Sequence, residues 1–491
     1  MQNGTLLAAV DLGSNSFRLE IGRQDSGHIQ RVEYLKETVR LGGGLDEDHN
    51  LSLDAMQRGW DCLARFAERL GGFSHAQVRA VATQTLREAN NREAFLHRGS
   101  EVLGHAIDLV SGPEEARLIY QGVARLLPQS DERRLVIDIG GRSTELILGQ
   151  QFDARSVASY RVGSVAWSAQ YFADGRFTAS AFERAEVAAQ AALEDAALMF
   201  SSDHWELAYG ASGTVGAVAD ILAGAGFERD RIGRDGLIWL KAQLLRAQSA
   251  DRVRLDGLKE DRRPVIGGGI SVLCAVFDLL RIDSLKVAQG ALRQGVLYDM
   301  VQREHPESDL RVLTVQTLMQ RFAVDAEQAA RVARTAVDLY GQLRGQDAVG
   351  ARELAWAAQL HEIGCIVSHV DAHRHGAYIL DNTDAAGFSR DELAQLGTLV
   401  LGQRGKPRKL DVDMSDTTLA LQLLCLRLAK ALCHARRDPS TEGLSLRLSG
   451  QRFALQARPG WASEFPQSAY LLQEEAAAWN KTPWDLQLDL P

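Results

Sequence analysis

Two short stretches of this chain share one make-up. Ala8-Ala9-Val10-Asp11-Leu12-Gly13-Ser14-Asn15-Ser16 stands near the start, and Leu135-Val136-Ile137-Asp138-Ile139-Gly140-Gly141-Arg142-Ser143-Thr144-Glu145 stands well downstream. Each is an apolar run that ends in Asp, followed by small residues and a second apolar run, at 17–22 and 146–149. The pattern predicts strand, tight turn and strand in both places. Gly, Ser and Thr leave the backbone bare enough for a phosphate to approach the N–H groups of the turn. The Asp at the end of each first strand is placed to position a divalent cation, directly or through water. Two such turns facing each other would clamp a phosphate. A third turn of small residues, Gly210-Ala211-Ser212-Gly213-Thr214, opens a helix, and a helix start favours an anion. In Ser111-Gly112-Pro113-Glu114-Glu115-Ala116-Arg117, a proline with acids behind it signals a helix N-terminus. Acids there are favourable to the helix whatever else they do.

The elements that must carry these residues come in a repeating order. Before 127 the pattern reads β-β-β-α-β-α-β-α, with strands ending near 11, 22, 39, 81 and 110 and an amphipathic helix over 52–70. From 128 the order approximately recurs, with strands at 155–162, 207–209 and 285–288 and an Ala-rich helix over 181–200. From about 304 glycine thins out and helical patterns run to about 435. Two strand-like segments (444–448 and 452–457) and a helix near 468–479 follow. The expected domains are 1–127, 128–303, 304–437 and 438–491.

With 491 residues, 45% of them hydrophobic and 24% charged, the chain has the composition of a multi-domain globular protein. Its net charge of −9 argues against a dedicated nucleic-acid binder. The five cysteines (Cys62, Cys274, Cys365, Cys425 and Cys433) have no metal-binding spacing and fit a reducing compartment. No signal-peptide pattern or membrane-length apolar run is present, so a cytoplasmic location is expected.

Taken in order, several stretches resemble the Ppx/GppA phosphatases, the bacterial exopolyphosphatases and guanosine pentaphosphate phosphohydrolases. They are DLGSNSFRL (11–19), ATQTLREAN (82–90), SGPEEARLIY (111–120), VIDIGGRSTEL (136–146), GASGT (210–214), GALRQGVLYDM (290–300), and LHEIG (360–364) with HRHGAYIL (373–380). The resemblance implies an α/β fold of duplicated actin-like ATPase (ribonuclease H-like) lobes. An all-α HD-like domain and a small α+β C-terminal domain would follow. It also implies Glu115 as the catalytic carboxylate, with Glu114 a helix-start acid. Asp11, Asp138 and Glu145 would hold Mg²⁺; whether a monovalent cation joins it is open. Ser14, Asn15, Ser16, Gly140, Gly141, Ser143, Thr144, Ser212, Gly213 and Thr214 would bind phosphate, with Arg87 a further candidate through its planar fork.

Hydrolysis of a phosphoanhydride needs a positioned water, a base and neutralisation of the transferred group. A base that faces water rather than an alcohol gives a hydrolase rather than a sugar kinase. The first expected function is removal of terminal phosphate from inorganic polyphosphate. The alternatives are pppGpp 5′-phosphohydrolysis and an inactive binding protein. The family usually has glycine where Arg142 stands. From sequence this arginine could be strained, intrude on the phosphate, or add a cation for it. In the helical half, His361-Glu362 with His369, His373 and His375 reads as a degenerate HD site without metal. Arg404, Lys406, Arg408 and Lys409 could line a polyphosphate groove. The resemblance further implies a homodimer.

Overall fold

β1 (Leu6–Leu12), β2 (Phe17–Asp25) and β3 (His28–Glu37) form an antiparallel meander. β1 is buried along almost its whole length, as a central strand covered on both faces must be. β3 alternates toward solvent at the sheet edge. α1 (Leu53–Arg69) starts where the Ser52 hydroxyl accepts the Ala55 N–H, and its Met56, Leu63 and Phe66 enter the core. Then come β4 (Val78–Ala82), α2 (Gln84–Glu88), α3 (Arg92–Leu103), β5 (Ile107–Leu109) and α4 (Gly112–Ala124). The sheet order is β3-β2-β1-β4-β5, with β4 and β5 parallel to β1. The computed structural model describes residues 3–25, 27–128, 130–303, 309–345, 347–479 and 481–491.

The second lobe repeats this plan. Its elements are β6 (Arg133–Ile139), β7 (Thr144–Gln150), β8 (Asp153–Tyr160), α5 (Ser164–Tyr171), α6 (Ala179–Ala192), α7 (Ala196–Met199), β9 (Leu207–Ala211), α8 (Ser212–Gly224), β10 (Arg231–Gly233), α9 (Arg234–Ala247), α10 (Ile266–Leu279), β11 (Ser284–Val287) and α11 (Leu292–Arg303). The sheet runs β8-β7-β6-β9-β11 with β10 added antiparallel at the edge. Apart from β10, its strand order is that of the first lobe, so the two are duplicated ribonuclease H-like lobes of the actin-like fold. The helix expected over 181–200 breaks after Ala192.

The lobes share a core. Leu7, Ala9 and Val81 from the first sheet and Val136, Ile147 and Tyr209 from the second surround Leu118 and Ile119 of α4 and Val296 and Leu297 of α11. α4 packs on β7 and β8, whereas α11 packs on β1. The two helices cross backbone to backbone: a side-chain carbon at Gly295 would run into the Leu118 carbonyl, and one at Gly122 into the Ala291 carbonyl. Asp299 ties the crossing together, receiving Arg79 at 2.5 Å and Arg117 and Arg303 at 2.7 Å each.

The chain divides into two compact units, Met1–Asp309 and Leu310–Pro491. The second contains α12 (Leu310–Arg321), α13 (Ala326–Arg344), α14 (Ala348–Gln359), α15 (Ala372–Asp381), α16 (Arg390–Gly402) and α17 (Thr417–Leu432). It ends in β12 (Ser445–Ser449), β13 (Arg452–Gln456), α18 (Trp461–Glu464), α19 (Pro466–Trp479) and β14 (Asp485–Asp489). One apolar core joins Leu354 and Leu424 of the helices to Phe453 and Trp479 beside the small sheet. The expected domain lines near 127 and 437 therefore fall inside these two units.

Gly295→Val is expected to cost about 3 kcal/mol by overpacking the helix crossing and to abolish activity. Gly341→Ala, at a helical site with open space around it, is expected to be neutral or slightly stabilising. Denaturant midpoints of the two variants check this.

Candidate active site

α4 begins at Ser111, whose hydroxyl accepts the Glu114 N–H at 3.2 Å, with proline in the first turn. Adjacent helical residues point in different directions, and the two acids have separate fates. Glu114 accepts from Arg117 at 2.8 and 2.7 Å and is a structural ion pair. Glu115 turns into the pocket and accepts from Arg87 Nη1 at 2.7 Å. Burial raises the pKa of Glu115, and the charge of Arg87 works against that rise. Arg87 does not line the pocket. It spends its fork on Glu115, the Val110 carbonyl and Gln84, so its expected place as a phosphate ligand gives way to one behind the carboxylate.

The two small-residue turns join hairpins of identical register. Asp11 pairs opposite Arg18 in β1–β2, and Asp138 pairs opposite Glu145 in β6–β7. Gly141 brings the second turn against Ser14 and Asn15 of the first, where a side-chain carbon would already touch Ser14. Asp11 is neutralised by Arg18 at 3.4 Å and Arg293 at 3.2 Å. Among the described residues, neither Asp138 nor Glu145 has such an ion-pair partner. Burial, and after it the charge of Glu115, pushes the Asp138 pKa up to about 7. The same causes, with Asp138 added, raise Glu145 well above the carboxylate range. Two like charges directly opposite in a ladder are destabilising, and burial makes the pair costlier.

These groups surround a cavity of about 90 Å³ lined by Asp11, Ser14, Asn15, Ser16, Glu115, Asp138, Gly140, Gly141, Ser143, Ser212, Gly213 and Thr214. Three arginines that the sequence reading did not single out also line it: Arg18, Arg262 and Arg293. Arg18 was legible in principle, because counting back across the first hairpin sets it opposite Asp11. Arg262 lies across Gly213, where any side chain would displace its guanidinium. Burial, and then Arg18, lowers its pKa. Ser212 holds the left-handed conformation (φ 94°) and its hydroxyl accepts the N–H groups of Thr214 at 3.2 Å and Val215 at 3.3 Å.

Besides Arg87, two more expected site residues sit elsewhere. Thr144 is fully buried and does not line the cavity, and its hydroxyl donates to the Val162 carbonyl at 2.6 Å. Glu145 stands behind the pocket wall and accepts from Ser159 at 2.8 Å. Arg142 has no left-handed backbone and does not line the cavity. Its side chain leaves the turn and pairs with Glu88.

A divalent cation fits this chemistry. The buried acids Asp11, Asp138 and Glu145 carry more negative charge than their partners offset, and a bound cation relieves that excess. Among the described residues no group of three His, Cys, Asp or Glu encloses a metal by itself. Mg²⁺ needs only one or two carboxylates, with water and substrate phosphate completing its shell.

In the second unit His361 is buried, its ring Nδ1 lying 2.6 Å from the Ala358 carbonyl, and burial lowers its pKa. Glu362 accepts from Arg436 at 2.6 Å. Arg404, Lys406, Arg408 and Lys409 are exposed after α16.

Comparison with known proteins identifies the family. The model of the Ppx/GppA phosphatase family matches residues 20–304, and that of Ppx/GppA phosphatase domain III matches residues 310–476. A protein of Aeromonas hydrophila named guanosine-5′-triphosphate,3′-diphosphate pyrophosphatase is 36% identical over 496 residues, covering 99% of each chain. A protein of the same name from Vibrio cholerae is 37% identical over 492 residues, covering 99% of this chain and 98% of its own. The crystal structure of an exopolyphosphatase from Cytophaga hutchinsonii superimposes with a TM-score of 0.54 at 23% identity, over 60% of this chain and 98% of its own, which speaks to the fold.

Asp138 generates a pH prediction. Its pKa rises from 3.8 to about 7 on folding, so the folded state binds the proton more tightly than the unfolded one. Metal-free stability should therefore fall as pH climbs from about 4 to 7. Asp138→Asn should melt several degrees above wild type at pH 8 without metal, lose that advantage at pH 5, and be inactive. Thermal melts at the two pH values check the sign.

Proposed function

Because the chain belongs to the Ppx/GppA phosphatase family, whose members hydrolyse phosphoanhydride bonds, we propose that it removes the terminal 5′-phosphate of pppGpp as orthophosphate. The observation that carries this is the end-to-end identity of 36% and 37% to two proteins that bear the pppGpp name. It reverses the order expected from sequence, where inorganic polyphosphate came first, because the catalytic stretches serve either substrate.

The site chemistry supports the reading. The terminal phosphoryl group would lie between the two turns, receiving N–H groups of 13–16 and 140–143. Arg18 of the first lobe and Arg293 of α11 would neutralise it. The start of α8 at Ser212, Gly213 and Thr214, with Arg262, would take a second phosphate group. Glu115 would accept the proton of the attacking water. Burial raises its pKa, which strengthens it as a base, and Arg87 opposes that rise and orients the carboxylate. Mg²⁺ at Asp11 and Asp138, with Glu145 adding negative charge from behind the pocket wall, would supply further neutralisation of the phosphate oxygens.

Orthophosphate release with Mg²⁺ from pppGpp, long-chain polyphosphate and ATP tests the assignment. The expected order puts pppGpp first, and Glu115→Gln should lower kcat on it by about 10²–10⁴-fold. Arg262→Ala should chiefly raise KM. Faster release from long-chain polyphosphate would restore the other reading, in which Arg404, Lys406, Arg408 and Lys409 track the polymer.

A further inference from the structure

Arg142 stands in the phosphate turn of the second lobe, yet its guanidinium reaches into the first. Nε donates to Glu88 Oε2 at 2.7 Å and Nη1 to the Gly42 carbonyl at 3.2 Å. The contact continues beyond Glu88. Its other oxygen, Oε1, accepts from Gln84 Nε2 at 2.7 Å. The amide oxygen of Gln84 accepts from Arg87 Nε at 3.0 Å and Nη2 at 2.6 Å. Arg87 Nη1 then donates to Glu115 at 2.7 Å. Five side chains form one unbroken line from the second lobe's turn to the carboxylate in the first. Donor and acceptor alternate along it, so the orientation of the Gln84 amide follows from its neighbours. Gln84 is buried, and the side chains of Glu88, Arg87 and Glu115 are only 7%, 8% and 9% exposed.

We propose that Arg142 is a positioning residue: by gripping Glu88 across the cleft it sets, through Gln84 and Arg87, where Glu115 stands relative to the phosphate held in Arg142's own turn. The proposal rests on Glu115 being the base. Its physical content is registry between lobes. The phosphate would be gripped by the turns of both lobes while the base comes from the first alone, and a small misplacement of reacting groups costs rate rather than binding. Within the first lobe, Arg87 sets where the Glu115 carboxylate points. α4 already packs on β7 and β8 of the second lobe, and the Arg142–Glu88 link adds a side-chain tie between the base and the second turn itself. Glu88 is committed to this link, so Arg142 is no free cation for the polyanion.

Steady-state kinetics on pppGpp, or on polyphosphate if that proves the faster substrate, tests this with Arg142→Gly, Glu88→Gln, the double variant and Glu115→Gln, each confirmed as folded by circular dichroism. Arg142→Gly and Glu88→Gln are each expected to lower kcat about tenfold with KM within about twofold of wild type. The double variant should be no slower than the slower single, because both cut the same line. Wild-type kcat in either single variant, losses that multiply in the double, or an effect confined to KM would overturn the relay. If Glu115→Gln keeps full activity, the base assignment fails and takes the relay with it. If Glu115→Gln is inert while Arg142→Gly is normal, the relay alone fails.

Discussion

Four carboxylates, Asp11, Glu115, Asp138 and Glu145, are buried around one small cavity, and their mutual repulsion is the constraint on which the rest depends. Burial favours the protonated forms of Glu115, Asp138 and Glu145. Arg18 and Arg293 hold Asp11, and Arg87 holds Glu115. Asp138 and Glu145 are left as the uncompensated pair that a cation or a protonation must answer. The glycine crossing of α4 and α11 follows from the same demand. It brings the helix bearing Glu115 and the helix bearing Arg293 close enough to serve one site. The Asp299 cluster then locks that crossing.

The duplication supplies two equal hairpins and uses them unequally. At the position opposite the strand-end Asp, the first lobe has Arg18 and the second has Glu145. The first hairpin is thereby suited to an anion and the second to a cation. One ancestral geometry with two side-chain choices yields both halves of a phosphate–metal site. The shared core between the sheets keeps the turns in contact, with Gly141 at Ser14.

Much of this was legible in the chain because it is local. The turn residues, the strand-end acids and the capped start of α4 are each written within about ten consecutive positions. The order of elements in both lobes followed from the same patterns. What was hidden depends on distant partners. Arg87 reads as a candidate phosphate ligand until Glu115 stands beside it. Arg262 joins Arg18 only after the lobes fold together, and no local spacing announces it. Thr144 was expected to face phosphate, but strand alternation turns it inward to Val162. The open question at Arg142 was decided by Glu88, a residue of the other lobe. β10 and β14 were missed because strands of three and five residues at sheet edges carry little pattern of their own.

The central claim is that water, activated within this cluster, attacks the terminal phosphorus. Hydrolysis of pppGpp in ¹⁸O-labelled water with Mg²⁺ tests it most directly, with both products examined by mass spectrometry. The account predicts one ¹⁸O atom in each released orthophosphate and none in the guanosine product. Label retained in the nucleotide, or pyrophosphate as the released species, would contradict it.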